Sequence, residues 1–146
     1  FVPTSLVGRS APGGLGSLRR SRPQLSWEDL RRLAEYGVRA QSQAHHRVDL
    51  RTLSPEVAFG DLLRSRRELE RRLGEAAPLL AYPHGSVDRV VADLAARAGF
   101  VAAFGGGRCP EVGTMDLRRI GLRARSSPRA LLRRLGRPLQ AAQARA

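Results

Sequence analysis

The sequence alternates short apolar segments with longer segments that carry helix start and stop signals. The predicted strands cover residues 1–7, 38–41, 79–82, 100–104 and 119–122. The clearest helix begins at Ser54-Pro55 and ends at Gly74, because serine caps helices, proline suits their first turn and glycine ends them. Strands that alternate with helices in this order predict βα units around a parallel sheet, and therefore an α/β fold.

Three further helices complete the predicted order. They cover residues 26–36 after a Ser26 cap, residues 86–97 after a Ser86 cap, and residues 127–135 after Ser127-Pro128. In the second of them, the side chains predicted to face inward are Val87, Val90, Val91 and Leu94. Residues 9–24, rich in glycine, proline and serine, are predicted as a loop. We expect one domain over residues 1–135 and a flexible tail over residues 136–146.

The arginine content bears on possible partners. All 26 basic residues are arginine, against 13 acidic residues, for a net charge of +13. The arginines are dispersed and often alternate with acids, as in residues 66–71, which is typical of solvated helix faces. We therefore expect no specific nucleic-acid partner. An arginine-driven binder of nucleic acid or another anionic polymer is an alternative, and it predicts affinity that falls steeply with salt.

Length and hydropathy limit the class of protein. The 146 residues are 42 % hydrophobic, enough for one core. No run of 18 apolar residues occurs, so no membrane span is expected. No basic segment precedes Phe1, so no signal peptide is predicted. The single cysteine, Cys109, excludes an internal disulfide, and without a neighbouring base it is predicted to be incidental.

Three histidines follow predicted strands. His45 and His46 lie in the polar segment 42–49, and His84 lies in a Pro-His-Gly turn. Histidine and carboxylate are the ligands that zinc-like metals prefer, and the same two loops carry Asp49 and Asp88. Because His45 and His46 are adjacent, one metal is not expected to use both. The alternative is that all three are solvated or hydrogen-bonded loop histidines.

Several segments, in order, resemble a known family. They are Phe1-Val2-Pro3-Thr4 with Val7-Gly8, Leu25 to Leu30 with Gly37-Val38, Asp49-Leu50 with Leu53-Ser54-Pro55-Glu56, Ala81-Tyr82-Pro83-His84-Gly85 with Asp88, Gly99-Phe100 with Ala103-Phe104, and Asp116 with Arg119-Ile120. Together they resemble the polysaccharide deacetylases, also called the NodB-homology domain or carbohydrate esterase family four.

The resemblance implies a distorted (β/α) barrel and a metal-dependent hydrolase that removes N-acetyl groups from carbohydrate polymers. In such enzymes a divalent ion, zinc or similar, is held by one aspartate and two histidines, with a second aspartate as base and a later histidine as acid. The implied partner is a carbohydrate polymer, and the implied location is the cell envelope or the extracellular space.

The sequence departs from the family pattern at the catalytic motifs. The Thr-Phe-Asp-Asp-Gly motif is absent and would precede Phe1, so we expect an N-terminally truncated, incomplete barrel without its first strand. Its exposed sheet edge predicts self-association. Gapless alignment places Gln43 and Arg47 at the two histidine-ligand positions, and a one-residue shift places Ser42 and His46 there instead. His46 is therefore the candidate metal ligand, and no Leu-x-His motif follows His84.

The turn at residues 82–85 is better preserved. The resemblance implies that Tyr82, Pro83 and His84 contact substrate, and that the His84 backbone N–H donates to the oxyanion. The alternative is a purely structural turn. Trp27 is a further candidate for a sugar groove with Tyr82 and His84, or else a core residue. We predict a degenerate deacetylase, inactive as this chain, that is a pseudoenzyme; the alternative is a non-catalytic carbohydrate-binding or structural remnant.

Overall fold

The computed structural model describes residues 1–9 and 24–121. Its helices are α1 (Trp27–Glu35), α2 (Pro55–Leu73) and α3 (Arg89–Arg97), and its strands are β1 (Leu79–Ala81), β2 (Ala102–Gly105) and β3 (Leu117–Arg118). The predicted helix 127–135, the predicted tail 136–146 and most of the predicted loop 9–24 lie outside the described residues.

The strands form one parallel sheet in the order β1-β2-β3. Single parallel bridges extend it on the β1 side, from Leu80 to Ser42 and from Ser42 to Val2. The register pairs Leu80 with Ala103 in the centre of the sheet. The predicted α/β fold with a parallel sheet is confirmed, and the carboxyl ends of its segments lie along one edge, where α/β proteins place their sites.

Two predicted helices begin and end where the sequence places them. In α1, Ser26 and Asp29 form a capping box, with the Asp29 carboxylate accepting from the Ser26 amide at 2.8 Å. In α2, the Ser54 side chain accepts from the Val57 amide, and Gly74 ends the helix in the left-handed conformation at φ 73°. These local hydrogen bonds fix the helix ends independently of tertiary contacts.

The start predicted for α3 is wrong. The cap is Asp88, whose carboxylate accepts from the Val91 amide at 2.9 Å, and Ser86 instead accepts a hydrogen bond from Arg51. Val90, which was predicted to face inward, is 55 % exposed. Residues 83–85, which precede the cap of α3, form a 3₁₀ turn.

The predicted outer strands are only partly formed. Residues 1–7 contribute one bridge at Val2 and then close into a 3₁₀ turn, where the Leu6 amide donates to the Pro3 carbonyl. Residues 38–41 form no strand, because their neighbour Ser42 alone bridges to β1. Of the strand predicted at 119–122, residues 119–121 form no strand and Leu122 lies outside the described residues; β3 lies just before, at Leu117–Arg118. The Arg119 side chain donates to the carbonyls of Gly105 and Tyr82. Self-association through the sheet edge stays a prediction.

The core lies between the sheet and the inner faces of α2 and α3. Its buried members include Leu50, Leu62, Leu80, Tyr82, Val91, Phe100 and Ala103. Trp27 is not among them: it is half-buried, and the Arg72 guanidinium stacks 5.5 Å from its ring centroid. Among the described helices, none is long and apolar enough to cross a membrane.

Candidate functional site

A buried carboxylate from α2 organises the segment that follows the Ser42 bridge. Asp61 accepts from the backbone amide of His45 at 2.7 Å and from that of His46 at 3.1 Å. Its side chain is only 5 % exposed. The segment bends here, with Ala44 at φ 64°. Asp61 therefore satisfies amides that the bend removes from the sheet.

His45 points into the protein. Its Nδ1 lies 2.7 Å from the Thr4 hydroxyl oxygen and 3.5 Å from the Glu68 carboxylate. Burial lowers its pKa from 6.5, with the nearby Arg64 charge acting in the same direction. The ring is thus held neutral and hydrogen-bonded. This agrees with the alternative prediction that the loop histidines form hydrogen bonds and do not bind a metal.

His46 points outward but is also engaged. Its Nδ1 lies 2.7 Å from Asp61 Oδ2, while its side chain is 57 % exposed. The two imidazole rings meet edge to face at 4.4 Å between centroids. They line a cavity of about 510 Å³ that also includes Thr4, Ser5, Leu6, Val7, Arg9, Trp27, Arg64 and Glu68.

The residues at the gapless ligand positions do not form a metal centre. The Gln43 amide donates to the Val2 carbonyl, which keeps Gln43 in the extended segment, and Arg47 is exposed. Arginine keeps its proton and its charge in proteins, so it is not a metal ligand. Within residues 1–9 and 24–121, no group of three or more His, Cys, Asp or Glu side chains could hold a metal ion. The residues present do not fit the divalent ion that the family resemblance implies.

The structure does not bring the three histidines together. His84 lines a second cavity, of about 230 Å³, whereas His45 and His46 line the first. Of the two loop carboxylates, Asp49 is paired with Arg51, whose hydrogen bond lowers the Asp49 pKa to about 2, and Asp88 caps α3. The structure therefore does not bring these residues together into one metal site.

The turn after β1 exposes backbone rather than side-chain chemistry. Residues Pro83–Gly85 form the 3₁₀ turn, with His84 at φ 58° and Gly85 at φ 73°. The amides of Gly85 and Ser86 donate back to Tyr82 and Pro83. The His84 amide donates to no other residue in the described ranges, and His84 is an exposed residue.

Tyr82 occupies a different position from the one a sugar contact requires. Its ring is fully buried, at 0 % exposure, and its hydroxyl has no hydrogen-bond partner among the described residues. Burial raises the pKa of this hydroxyl, with Asp116 adding to the effect. Tyr82, Trp27 and His84 therefore do not share one groove: Tyr82 is in the core, and the other two line separate cavities.

A second buried carboxylate holds the glycine-rich loop after β2. Asp116 accepts from the amides of Gly107 at 3.0 Å, Arg108 at 2.7 Å and Cys109 at 2.9 Å. Its Oδ1 packs so closely on Gly105 that a Cβ there would overlap it. The sequence signal for this contact is the acid nine residues after Gly107. Burial raises the pKa of the Cys109 thiol, consistent with an unreactive cysteine.

Two arginines, Arg51 and Arg119, line the second cavity, and hydrogen bonds hold both of their side chains in place. The Arg51 guanidinium bonds Asp49 through Nε at 3.1 Å and through Nη2 at 2.7 Å. Arg119 donates from Nε to the Gly105 carbonyl and from Nη2 to the Tyr82 carbonyl, each at 3.2 Å. Neither arginine was predicted as a site residue, because arginine is too common in this chain for one position to stand out.

Comparison with known proteins agrees with this fold. A family model described as polysaccharide deacetylase matches residues 1–103. The chain belongs to the polysaccharide deacetylase family. No curated protein gives a significant match to this family member.

Solved structures are similar to this deacetylase-family chain in fold. The Streptococcus pyogenes deacetylase PplD, in complex with acetate, has TM-score 0.74 and 22 % identity, covering 90 % of this chain and 55 % of its own. A de-N-acetylase from Aggregatibacter actinomycetemcomitans has TM-score 0.68 and 14 % identity, covering 90 % and 62 %. IcaB from Ammonifex degensii has TM-score 0.66 and 19 % identity, covering 86 % and 56 %. The chain thus spans little more than half the length of each of these proteins.

Proposed function

We propose that this chain is a non-catalytic deacetylase-type domain that binds a carbohydrate polymer without metal-assisted hydrolysis. One observation carries the proposal: the rings of the two histidines in this segment are bonded to Thr4 and Asp61. Gapless alignment to the family pattern places Gln43 and Arg47 at the two ligand positions, and the shifted alignment keeps only His46. These residues all lie within the described part of the chain, and they favour a pseudoenzyme, a domain with the fold of the enzyme and without its catalysis.

The electrostatics of the segment oppose a divalent ion. A guanidinium at Arg47 would repel the ion that a histidine there would bind. His46 could offer one ring nitrogen, because its Nδ1 is bonded to Asp61, whereas zinc sites with open positions generally use three protein ligands. A single imidazole gives weak and unselective affinity.

The turn supports retained recognition of sugar. The His84 amide projects from a turn whose other two amides are internally bonded. The carbonyl oxygen of an N-acetyl group is a suitable acceptor for such a donor. Backbone donors survive side-chain substitution, so binding can persist where the metal ligands have been replaced.

The experiment is calorimetry with chitotetraose, with the same samples assayed for acetate release. We expect binding that is unchanged by zinc or by EDTA, and no acetate above the protein-free rate. Zinc-dependent release of acetate would overturn the proposal, and absence of any binding would favour a structural remnant.

A matched variant locates the donor. His84→Gly keeps the amide, removes the imidazole and suits the positive φ of this position. If the backbone is the donor, the variant binds chitotetraose within about twofold of the parent. A loss of tenfold or more would mean that the imidazole, and not the amide, makes the contact.

A further inference from the structure

The charged residues that line the second cavity, the one next to His84, are all positive. Three arginines, Arg51, Arg108 and Arg119, line it, and none of its lining residues is acidic. The remaining lining residues are His84, Gly85, Ser86, Val87, Gly105 and Gly106. Guanidinium groups that converge on one space favour an oxyanion there.

This arrangement differs from that of two arginines on the described helices α1 and α2. Arg32 and Arg66 pair with acids one helical turn away, at Glu28 and Glu70. The Arg32–Glu28 pair lies on a solvated helix face and contributes little, whereas Arg66 also donates to the Ala98 carbonyl. The cavity arginines instead come from three separate segments, so helix periodicity does not account for their convergence.

Two of the three arginines are already positioned before a ligand arrives. Arg119 is anchored by the Tyr82 and Gly105 carbonyls, which leaves Nη1 without a hydrogen bond to any described residue. Gly85 makes this possible, since a Cβ there would lie 2.5 Å from Arg119 Nη2. Arg51 is fixed by Asp49 and Ser86. Groups held in place lose little conformational entropy on binding.

The third arginine is the free one. The Arg108 side chain forms no hydrogen bond or ion pair with another described residue, while its amide is held by Asp116. Asp49 offsets the charge of Arg51, and the Asp116 carboxylate is occupied by three amides. The charges of Arg108 and Arg119 therefore remain available to a ligand.

We infer that this cavity binds an anionic group, a carboxylate or a phosphate, carried by the carbohydrate polymer. The inference rests on the proposed function, because His84 joins the cavity to the turn that would hold the sugar. The volume of about 230 Å³ is below the roughly 300–1,000 Å³ of pockets for drug-sized ligands. It suits one charged substituent on one sugar residue.

The test compares neutral and charged oligosaccharides by calorimetry in phosphate-free buffer at low salt. The probes are chitotetraose, a hyaluronan tetrasaccharide, which alternates N-acetylglucosamine with a carboxylate sugar, and inorganic phosphate alone. We expect the hyaluronan tetrasaccharide to bind about tenfold more tightly than chitotetraose, the difference typical of a charge-assisted hydrogen bond. Phosphate should compete with the charged probe only. If phosphate binds more tightly than the hyaluronan tetrasaccharide, the natural group is a phosphate rather than a carboxylate.

Two arginine variants separate the cavity from general charge. Arg108→Gln should remove the preference for the charged probe and leave chitotetraose affinity unchanged; its side chain supports no described contact, so the fold is not at risk. Arg67→Gln removes the same charge from α2, outside the cavity, and should keep the preference. Equal affinity for both probes in the parent, or a preference that survives Arg108→Gln, would overturn the inference.

The two proposals fail in different ways. If chitotetraose binds but charge makes no difference, the anion site is wrong and carbohydrate binding stands. If the charged probe and phosphate bind through Arg108 while chitotetraose does not, the anion site stands and recognition of the neutral sugar fails.

Discussion

Two loops of this molecule are each held by a buried carboxylate that accepts backbone amides, but their remaining side chains differ in chemistry. Asp61 ties the segment 45–46 and Asp116 ties the segment 107–109, each a buried carboxylate that accepts backbone amides. At the first loop the carboxylate also takes the His46 ring, which leaves no set of metal ligands. At the second it takes amides only, and the side chain of the neighbouring Arg108 forms no hydrogen bond with another described residue. The comparison teaches that the same backbone support can carry two loops with different side-chain chemistry.

The largest expected effect comes from removing either carboxylate. Asp116→Ala leaves three amides without their acceptor, and we expect the free energy of unfolding to fall by about 3 kcal/mol. Asp61→Ala should cost a similar amount, while Asp93→Ala, on the exposed side of α3, should cost little. Urea denaturation measures all three.

The ligand preference then distinguishes the two variants. Asp116→Ala should lose the preference for the charged oligosaccharide, because Arg108 is no longer positioned, and Asp61→Ala should keep it. Loss of the preference in both variants would contradict separate roles for the loops.

The next effect concerns the close packing under the second loop. In Gly105→Ala the new methyl group would overlap the Asp116 carboxylate and lie 2.9 Å from Val87, so we expect a loss of about 2 kcal/mol. Gly60→Ala is the matched control, since nothing lies within 4 Å of its Cβ position in α2. There alanine should stabilise by about 0.5–1 kcal/mol. Thermal unfolding of the pair checks both signs, and an equal response would count against the packing argument.

A smaller effect tests which residue caps α3, the helix that follows the turn at residues 83–85. Asp88→Ala removes the helix cap and should destabilise by about 1 kcal/mol. Ser86→Ala should change stability by less, because Ser86 accepts only from the exposed Arg51. If Ser86→Ala destabilised the protein more than Asp88→Ala, the helix would be capped by Ser86 and not by Asp88.

The smallest effect is a pH dependence at the first loop. The pKa of His45 is lowered in the folded chain from 6.5 by burial, so the unfolded chain binds the proton more readily. Stability is therefore full above about 6.5 and decreases as the pH falls below it. Urea midpoints from pH 7.5 to 5 should show this decrease, and His45→Asn should flatten it. A decrease that is as steep in His45→Asn would have another origin.

Local signals explain which parts of the fold could be predicted from sequence. The ends of α1 and α2 are fixed by caps within a few residues, so Ser26, Ser54 and Gly74 were sufficient. The start of α3 was misplaced because Ser86 has the side chain of a helix cap, whereas in the fold Ser86 accepts from the distant Arg51 and Asp88 caps the helix. The outer strands were overpredicted because a single bridge at Ser42 or Val2 depends on long-range pairing.

The candidate site was less predictable for a physical reason. His45 and His46 follow the right segment, but sequence does not tell that Asp61 and Thr4 occupy their ring nitrogens. Tyr82 sits in a motif suggestive of substrate contact, yet its ring is in the core. The arginine cavity depends on three segments that come together only in the fold, in a chain where arginine is too common to stand out.

The most direct test of the account is the calorimetric titration of chitotetraose into the chain in EDTA and again with zinc. The account predicts the same affinity and enthalpy in both, without acetate release. Binding that appears only with zinc, or acetate produced only with zinc, would contradict it and would mean that this family member still assembles a working metal centre.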